Sequence, residues 1–224
     1  MPPLGERSGL SESDKQLQER LRALSPAKRA LLERQLRRSG APSGSEGITP
    51  RGTPDPCGLS FNQQRQWFLE RLHPGSAAYN VWTSARLAGP LDLSALRRAT
   101  NAVARRHETL RTRFVERDGE PLQVVDPEAS LEVEVVDLSD RPGDVRGVEA
   151  EERANQEATA PLDLEKGVVA RVTLYRLSEE DHVLLLVLNH IISDAWSRRI
   201  FMRDLGEAYS ALVSETEPRW PPLP

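Results

Sequence analysis

Residues 183–188 read Val-Leu-Leu-Leu-Val-Leu, an apolar run without a polar break. In an extended chain successive side chains leave opposite faces, so a strand of this composition has to bury both. Such a strand belongs inside a sheet covered on each side. The run ends in Asn189-His190, which carries an imidazole to the edge of that sheet.

The neighbouring segments supply the rest of such a sheet and its covering helices. Odd positions Tyr79, Val81, Thr83, Ala85 and Leu87 suit one face of a strand over 79–87. Ser60 with Gln63 forms a capping box ahead of a helix carrying Phe61, Phe68, Leu69 and Leu72. Asp92 caps a second helix with Leu93, Leu96, Thr100 and Val103 on one side, ending near His107. Asp118-Gly119 between two β-type runs predicts a tight hairpin. A strand over 131–138, an acidic helix over 145–158 and two strands over 168–177 and 182–188 follow. Ser193 or Asp194 then caps a long helix through Ile200, Leu205, Tyr209 and Leu212. Strands and helices alternate, so the expected class is α/β, or α+β with a mixed sheet.

The first part of the chain differs in composition. Residues 1–40 hold two short helical patterns, rich in Lys28, Arg29, Arg34, Arg37 and Arg38, and form a helical leader. That leader is either a docking element or a solvated helical pair packed on its own domain. Residues 41–58 read as a flexible Gly/Pro linker, and residues 59–224 as the globular lobe. Cys57 has no partner cysteine for a disulfide or a CxxC metal knuckle and reads as a spectator thiol. The net charge of -4 gives no general attraction to nucleic acid or anionic lipid. No apolar run approaches the roughly 18 residues of a membrane span, and the start lacks a signal core. A cytoplasmic protein without nucleic-acid or membrane partners is expected.

Chemistry concentrates at Asn189-His190-Ile191-Ile192-Ser193-Asp194-Ala195. A neutral imidazole accepts a proton near pH 7, and a nearby carboxylate holds local geometry. On spacing alone, HxxxD also describes a satisfied structural histidine. A metal is not expected, because His73, His107 and His182 share no ligand spacing with His190.

Three motifs in order resolve the choice. Ser60-Phe61-Asn62-Gln63-Gln64-Arg65-Gln66-Trp67-Phe68-Leu69 resembles SxAQxRxWxL, the first motif of condensation domains of nonribosomal peptide synthetases. Arg106-His107-Glu108-Thr109-Leu110-Arg111-Thr112-Arg113-Phe114 is similar to the second, RHExLRTxF, at every defined position. Asn189 to Ala195 resembles the third, HHxxxDG, and Trp196-Ser197 continues it. The resemblance covers about 59–212. It implies one lobe of the chloramphenicol-acetyltransferase-like fold, the amino-terminal half of a V-shaped domain, with the family's later motifs expected on a second lobe.

By the same resemblance His190 is the motif's second histidine, which serves the attack of an amine on a thioester as a base or as a hydrogen-bonding group. Asp194 is the motif's structural aspartate, with Arg111 as its expected partner and Arg106 in reserve. His107, Glu108, Gln63 and Arg65 are read as bracing, and Trp67 as a core aromatic. Two positions depart from the pattern: Asn189 replaces the first histidine, and Ala195 replaces the glycine. Alanine is harmless there if its dihedrals are helical and strained if φ is positive.

The implied function is amide-bond formation between acyl or aminoacyl thioesters carried by donor and acceptor peptidyl carrier proteins. No bound cofactor or metal is implied, since phosphopantetheine arrives on those partners. The isolated half is expected to be inactive. The missing carboxy-terminal lobe, and an upstream synthetase subunit met through residues 1–40, complete the implied partners. Two alternatives stay open: a non-catalytic condensation-like recruitment or docking module, and an ester-forming HxxxD acyltransferase.

Overall fold

The computed structural model describes residues 55–128 and 130–223. The helical leader and all but the last four residues of the expected linker therefore lie outside the described residues. In chain order the elements are β1 (Cys57–Gly58), α1 (Phe61–Leu72), β2 (Asn80–Ala88), α2 (Leu93–Arg106), a 3-10 turn (Glu108–Arg111), β3 (Thr112–Arg117), β4 (Glu120–Val125), β5 (Val133–Asp137), α3 (Gly143–Ala158), β6 (Ala170–Arg176), β7 (Asp181–Asn189) and α4 (Ala195–Val213).

The main sheet runs β2-β7-β6-β5. Strand β7 pairs antiparallel with β2 and β6, whereas β5 and β6 are parallel. A parallel pair needs a long crossover, and α3 supplies it. The sheet is thus mixed, as the alternation of elements predicts.

The apolar run sits where its composition demands. Leu184, Leu186 and Leu188 of β7 pack with Leu96 and Val103 of α2 and with Phe201 and Leu205 of α4. Leu185 and Val187 face the other way, into a cluster with Tyr175, Leu162 and Ala150 of α3. Burying each such side chain contributes about 1.5–3 kcal/mol, so the central strand anchors both helical layers. Along β2 the odd positions are the more buried ones, matching the expected alternation.

Local chemistry sets the helix ends. Asp92 accepts from Ala95 N at 2.9 Å to start α2, which stops at His107, where the backbone turns extended. The capping box closes at both ends: Ser60 Oγ accepts from Gln63 N, and Gln63 Oε1 accepts from Ser60 N. Asp118 and Gly119 both have positive φ, 53° and 82°, the two-residue turn that lets β3 and β4 pair tightly.

The smaller sheet runs β1-β4-β3. Here the structure differs from the composition, because Cys57 and Gly58, assigned to the linker, pair with Gln123 and Leu122. An open edge on β4 offers backbone partners that a Gly/Pro count cannot register.

Leu186→Ala removes a side chain that is 1% exposed at the middle of the sheet. It is expected to cost about 2–5 kcal/mol, read as a lower urea midpoint with an unchanged slope.

Candidate functional site

The end of β7 is held by backbone bonds on both sides. Asn189 N donates to Val169 O at 3.0 Å, and His190 N donates to Tyr79 O at 2.7 Å. The chain then turns sharply. Asn189 Oδ1 accepts from Ile191 N at 2.9 Å, while Asn189 O accepts from Ile192 N and from Ser193 Oγ. Asn189 is buried and His190 is exposed, so the turn presents the imidazole at the surface on a fixed backbone.

Asp194 begins α4. Its Oδ1 accepts from Ser197 N and from Ser197 Oγ, each at 2.7 Å. These two hydrogen bonds, with a smaller favourable field from His190, hold its carboxyl below the ordinary aspartate value. Ala195 is the first helical residue, and the positive-φ residues other than glycine among those described are Asp118 and Glu215. Its methyl group therefore sits on unstrained backbone.

The first two motifs converge on this turn. Trp67 and Phe114 pack with ring centroids 6.5 Å apart, in a cluster with Ile191, Leu59, Leu164 and Val169. Each motif thus contributes one apolar side chain to a shared core beneath His190. Gln63 adds a polar clamp: its Nε2 donates to Ile191 O at 3.3 Å and to Gln123 Oε1 at 3.1 Å. The bracing role expected for Gln63 and the core role expected for Trp67 agree with these contacts. Arg65 lies exposed on α1.

The expected ion pair of Asp194 is a different matter. Arg111 donates to Asp126 O at 3.2 Å and lies 3.7 Å from Glu108. Arg106 Nε donates to Asp204 Oδ2 at 3.1 Å, and its guanidinium lies over Trp220, 5.1 Å from the ring centroid. Neither arginine is bonded to Asp194, which is exposed and spends its side chain on the helix cap.

The buried ion network instead centres on Asp204, a residue outside all three motifs. Its side chain is fully buried. His107 Nε2 lies 2.8 Å from Oδ2, and Arg203 donates to Oδ1 through Nε at 2.9 Å and Nη2 at 2.7 Å. Burial by itself would raise this carboxyl, but His107 and Arg203 outweigh it and hold it below the ordinary value. The second motif is thereby tied to α4. The sequence did carry a signal, since Asp204 shares the helical stripe of Phe201, Leu205, Ala208 and Leu212, and a carboxylate on a buried stripe needs a partner.

No cluster of His, Cys, Asp or Glu able to hold a metal occurs among the described residues. The arrangement has a surface imidazole, a capped helix behind it and a packed core beneath it. It suits proton transfer or hydrogen bonding to a ligand that comes to the surface.

Residues 55–224 match the family model described as Condensation domain. The chain is 40% identical over 163 residues to cyclosporin synthetase simA of Tolypocladium inflatum, covering 73% of this chain and 1% of that protein. It is 39% identical over 209 residues to phosphinothricin tripeptide synthetase PhsC of Streptomyces viridochromogenes, covering 93% of this chain and 19% of that one. Among solved structures, the first condensation domain of the calcium-dependent antibiotic synthetase, in complex with a substrate analogue, aligns with a TM-score of 0.68 and 27% identity. That alignment covers 74% of this chain and 40% of the other. The starter condensation domain of rhizomide synthetase RzmA shares the fold with a TM-score of 0.69 at 22% identity, over 75% and 40% of the two chains. The chain therefore spans a small part of these curated relatives and about two fifths of the solved chains.

The two aspartates should separate on mutation. Asp204→Ala leaves Arg106 and His107 without their buried partner and is expected to cost about 3–5 kcal/mol. Asp194→Asn keeps a capping side chain and should change the melting temperature far less. Asp204 also predicts acid sensitivity. Because its folded pKa is depressed, its contribution is complete above the unfolded aspartate pKa and disappears as pH falls through the folded value. Melting curves across the acid range check this, with Asp204→Asn expected to flatten that part of the profile.

Proposed function

The chain belongs to the condensation-domain family, and from that premise we propose that it is one lobe of a domain that forms amide bonds between carrier-tethered thioesters. The acceptor's amine nitrogen attacks the donor's thioester carbonyl. A C–N bond forms, the C–S bond breaks, the donor's sulfur leaves as a thiol, and the acyl or aminoacyl chain moves onto the acceptor. The ammonium proton lost on attack is balanced by protonation of the leaving sulfur.

The observation that carries this reading is the position of His190: exposed at the end of a doubly buried strand, with its backbone held by Tyr79 and its neighbouring carbonyl clamped by Gln63. A group so anchored can meet a tethered amine without reorganising. His190 takes the amine proton, or accepts a hydrogen bond that aims the nitrogen lone pair, and holding two tethered reactants together supplies the remaining advantage. Asn189 and Ala195 are compatible with this role, one as a turn brace and the other as an unstrained first-turn residue.

The partners proposed are donor and acceptor carrier proteins, which bring phosphopantetheine as part of the substrates, and a second lobe that completes the cleft. Residues 1–40 are proposed to meet an upstream synthetase subunit. The lobe by itself is proposed to lack activity. A cytoplasmic setting is proposed with these partners. Among the described residues no helix is long and apolar enough to cross a membrane.

One observation favours a second reading, a docking module: the family's first histidine is an asparagine here. The two readings part on mutation. In the intact two-lobe protein with loaded carriers, His190→Ala should lower amide formation by about 10²–10⁴-fold if the residue is a general base, and less if it orients the amine. The fold and carrier binding should persist. Asn189→His with Ala195→Gly should raise the rate. Condensation unaffected by His190→Ala removes the catalytic assignment. Carriers that bind without amide formation, even after both restorations, establish the docking module, and an ester product identifies the other acyltransferase class.

A further inference from the structure

Gln123 lies on β4, outside the three motifs, and strand register decides where its side chain goes. It stands opposite Phe114 of β3 and Cys57 of β1. Directly opposed residues share a face of a sheet, and Phe114 packs with Trp67 and Ile191. Gln123 therefore belongs to the face of the small sheet that meets α1 and the residue after His190.

Two side-chain amides connect that face to the turn. Gln123 Nε2 donates to Gly58 O at 3.1 Å and lies 3.8 Å from Cys57 Sγ, so its Oε1 is the end turned to α1. Gln63 Nε2 donates to that oxygen at 3.1 Å and to Ile191 O at 3.3 Å, while Gln63 Oε1 accepts from Ser60 N at 2.9 Å. A primary amide carries one acceptor oxygen and two N–H donors, and Gln63 uses all three. A flipped amide would set oxygen against two acceptors and N–H against the Ser60 N–H, so these partners fix which way Gln63 faces. Without Gln123 the amino group keeps a single acceptor, and its last torsion is a broad one. The oxygen on β4 is thus what aims Gln63 at Ile191 O. Because both bonds are part-buried, each also polarises the other.

We infer that Gln123 is a positioning residue for the condensation step: through Gln63 it holds the carbonyl of Ile191, and with it the turn that presents His190. The inference rests on the reading of His190 as the group that meets the amine. A loosened turn lets the imidazole sample orientations away from the reacting nitrogen, and rates depend steeply on such alignment. Alignment matters in the transition state, so its loss lowers kcat and kcat/KM together and leaves KM in place.

A double-mutant cycle tests it. In the 224-residue chain, Gln123→Leu, Gln63→Leu and the double variant are compared by NMR, reading the Ile191 carbonyl carbon shift and the backbone order parameter of His190. Gln123→Leu should move both signals, and should add nothing further once residue 63 is leucine. A residue that only supports the small sheet would exert its effect in either background. If Gln123→Leu fails to fold, Gln123→Ser, too short to reach Gln63, is read the same way. In the intact two-lobe protein with loaded carriers, Gln123→Leu should lower kcat and kcat/KM alike by about two- to tenfold, the span of one net hydrogen bond. An unmoved Ile191 carbonyl, additive effects in the cycle, or an unchanged kcat where His190→Ala lowers it, each overturns the assignment. If His190→Ala itself leaves condensation unchanged, the catalytic reading has failed by its own control, and the carbonyl shifts of the cycle decide separately whether Gln123 holds the turn.

Discussion

The burial of β7 on both faces decides where the His190 turn lies. A strand whose even residues belong to the α2–α4 layer and whose odd residues belong to the α3 layer cannot slip by one position without exchanging every contact. Its register against β2 and β6 is therefore fixed along its whole length. The residue where that register ends is consequently fixed too. His190 gains a defined location from packing that lies well below it, and its own side chain remains exposed for other contacts.

The aspartate that caps α4 and the one in its middle show how environment, rather than motif membership, decides what a carboxylate does. Asp194 stands at the helix start, where unpaired N–H groups and the positive end of the helix dipole favour a negative side chain, and it needs no arginine there. Asp204 lies on the buried face of the same helix, where an ionised carboxylate would be costly without partners. It has Arg106, His107 and Arg203. The Arg-His pair of the second motif is thus a tether between the end of α2 and the middle of α4.

Much of this was legible from local patterns. The alternation in β2, the capping box at Ser60, the Asp92 and Asp194 caps and the Asp118-Gly119 turn are short-range features, and short-range physics determines them. The doubly buried strand was legible because composition alone requires two covers. The contacts that escaped are those whose partners are distant in the chain. Arg106 meets Asp204 across 98 positions, and Gln63 meets Ile191 across 128. Motif membership does not reveal which of Asp194 and Asp204 partners an arginine. The helical stripe on which Asp204 falls was the available clue, and the motif drew attention to the other residue. Cys57 and Gly58 escaped for the complementary reason: strand pairing satisfies backbone groups, and side-chain composition says little about them.

The replacement of the first motif histidine by Asn189 can be weighed on the same physical terms. A buried side chain at the end of β7 has to satisfy its polar atoms within the turn, because water does not reach it. Asn189 does so through Oδ1, which accepts from Ile191 N and closes the compact turn that asparagine forms readily. An imidazole at the same place has a larger ring and could reach farther, but this turn needs only a short acceptor. The carbonyl of Asn189 meanwhile holds both Ile192 N and Ser193 Oγ, so the segment between His190 and Asp194 is closed by main-chain and side-chain bonds together. What the substitution removes is a second titratable group beside His190. The turn that presents His190 is nevertheless closed, through the side chain and the carbonyl of Asn189 itself.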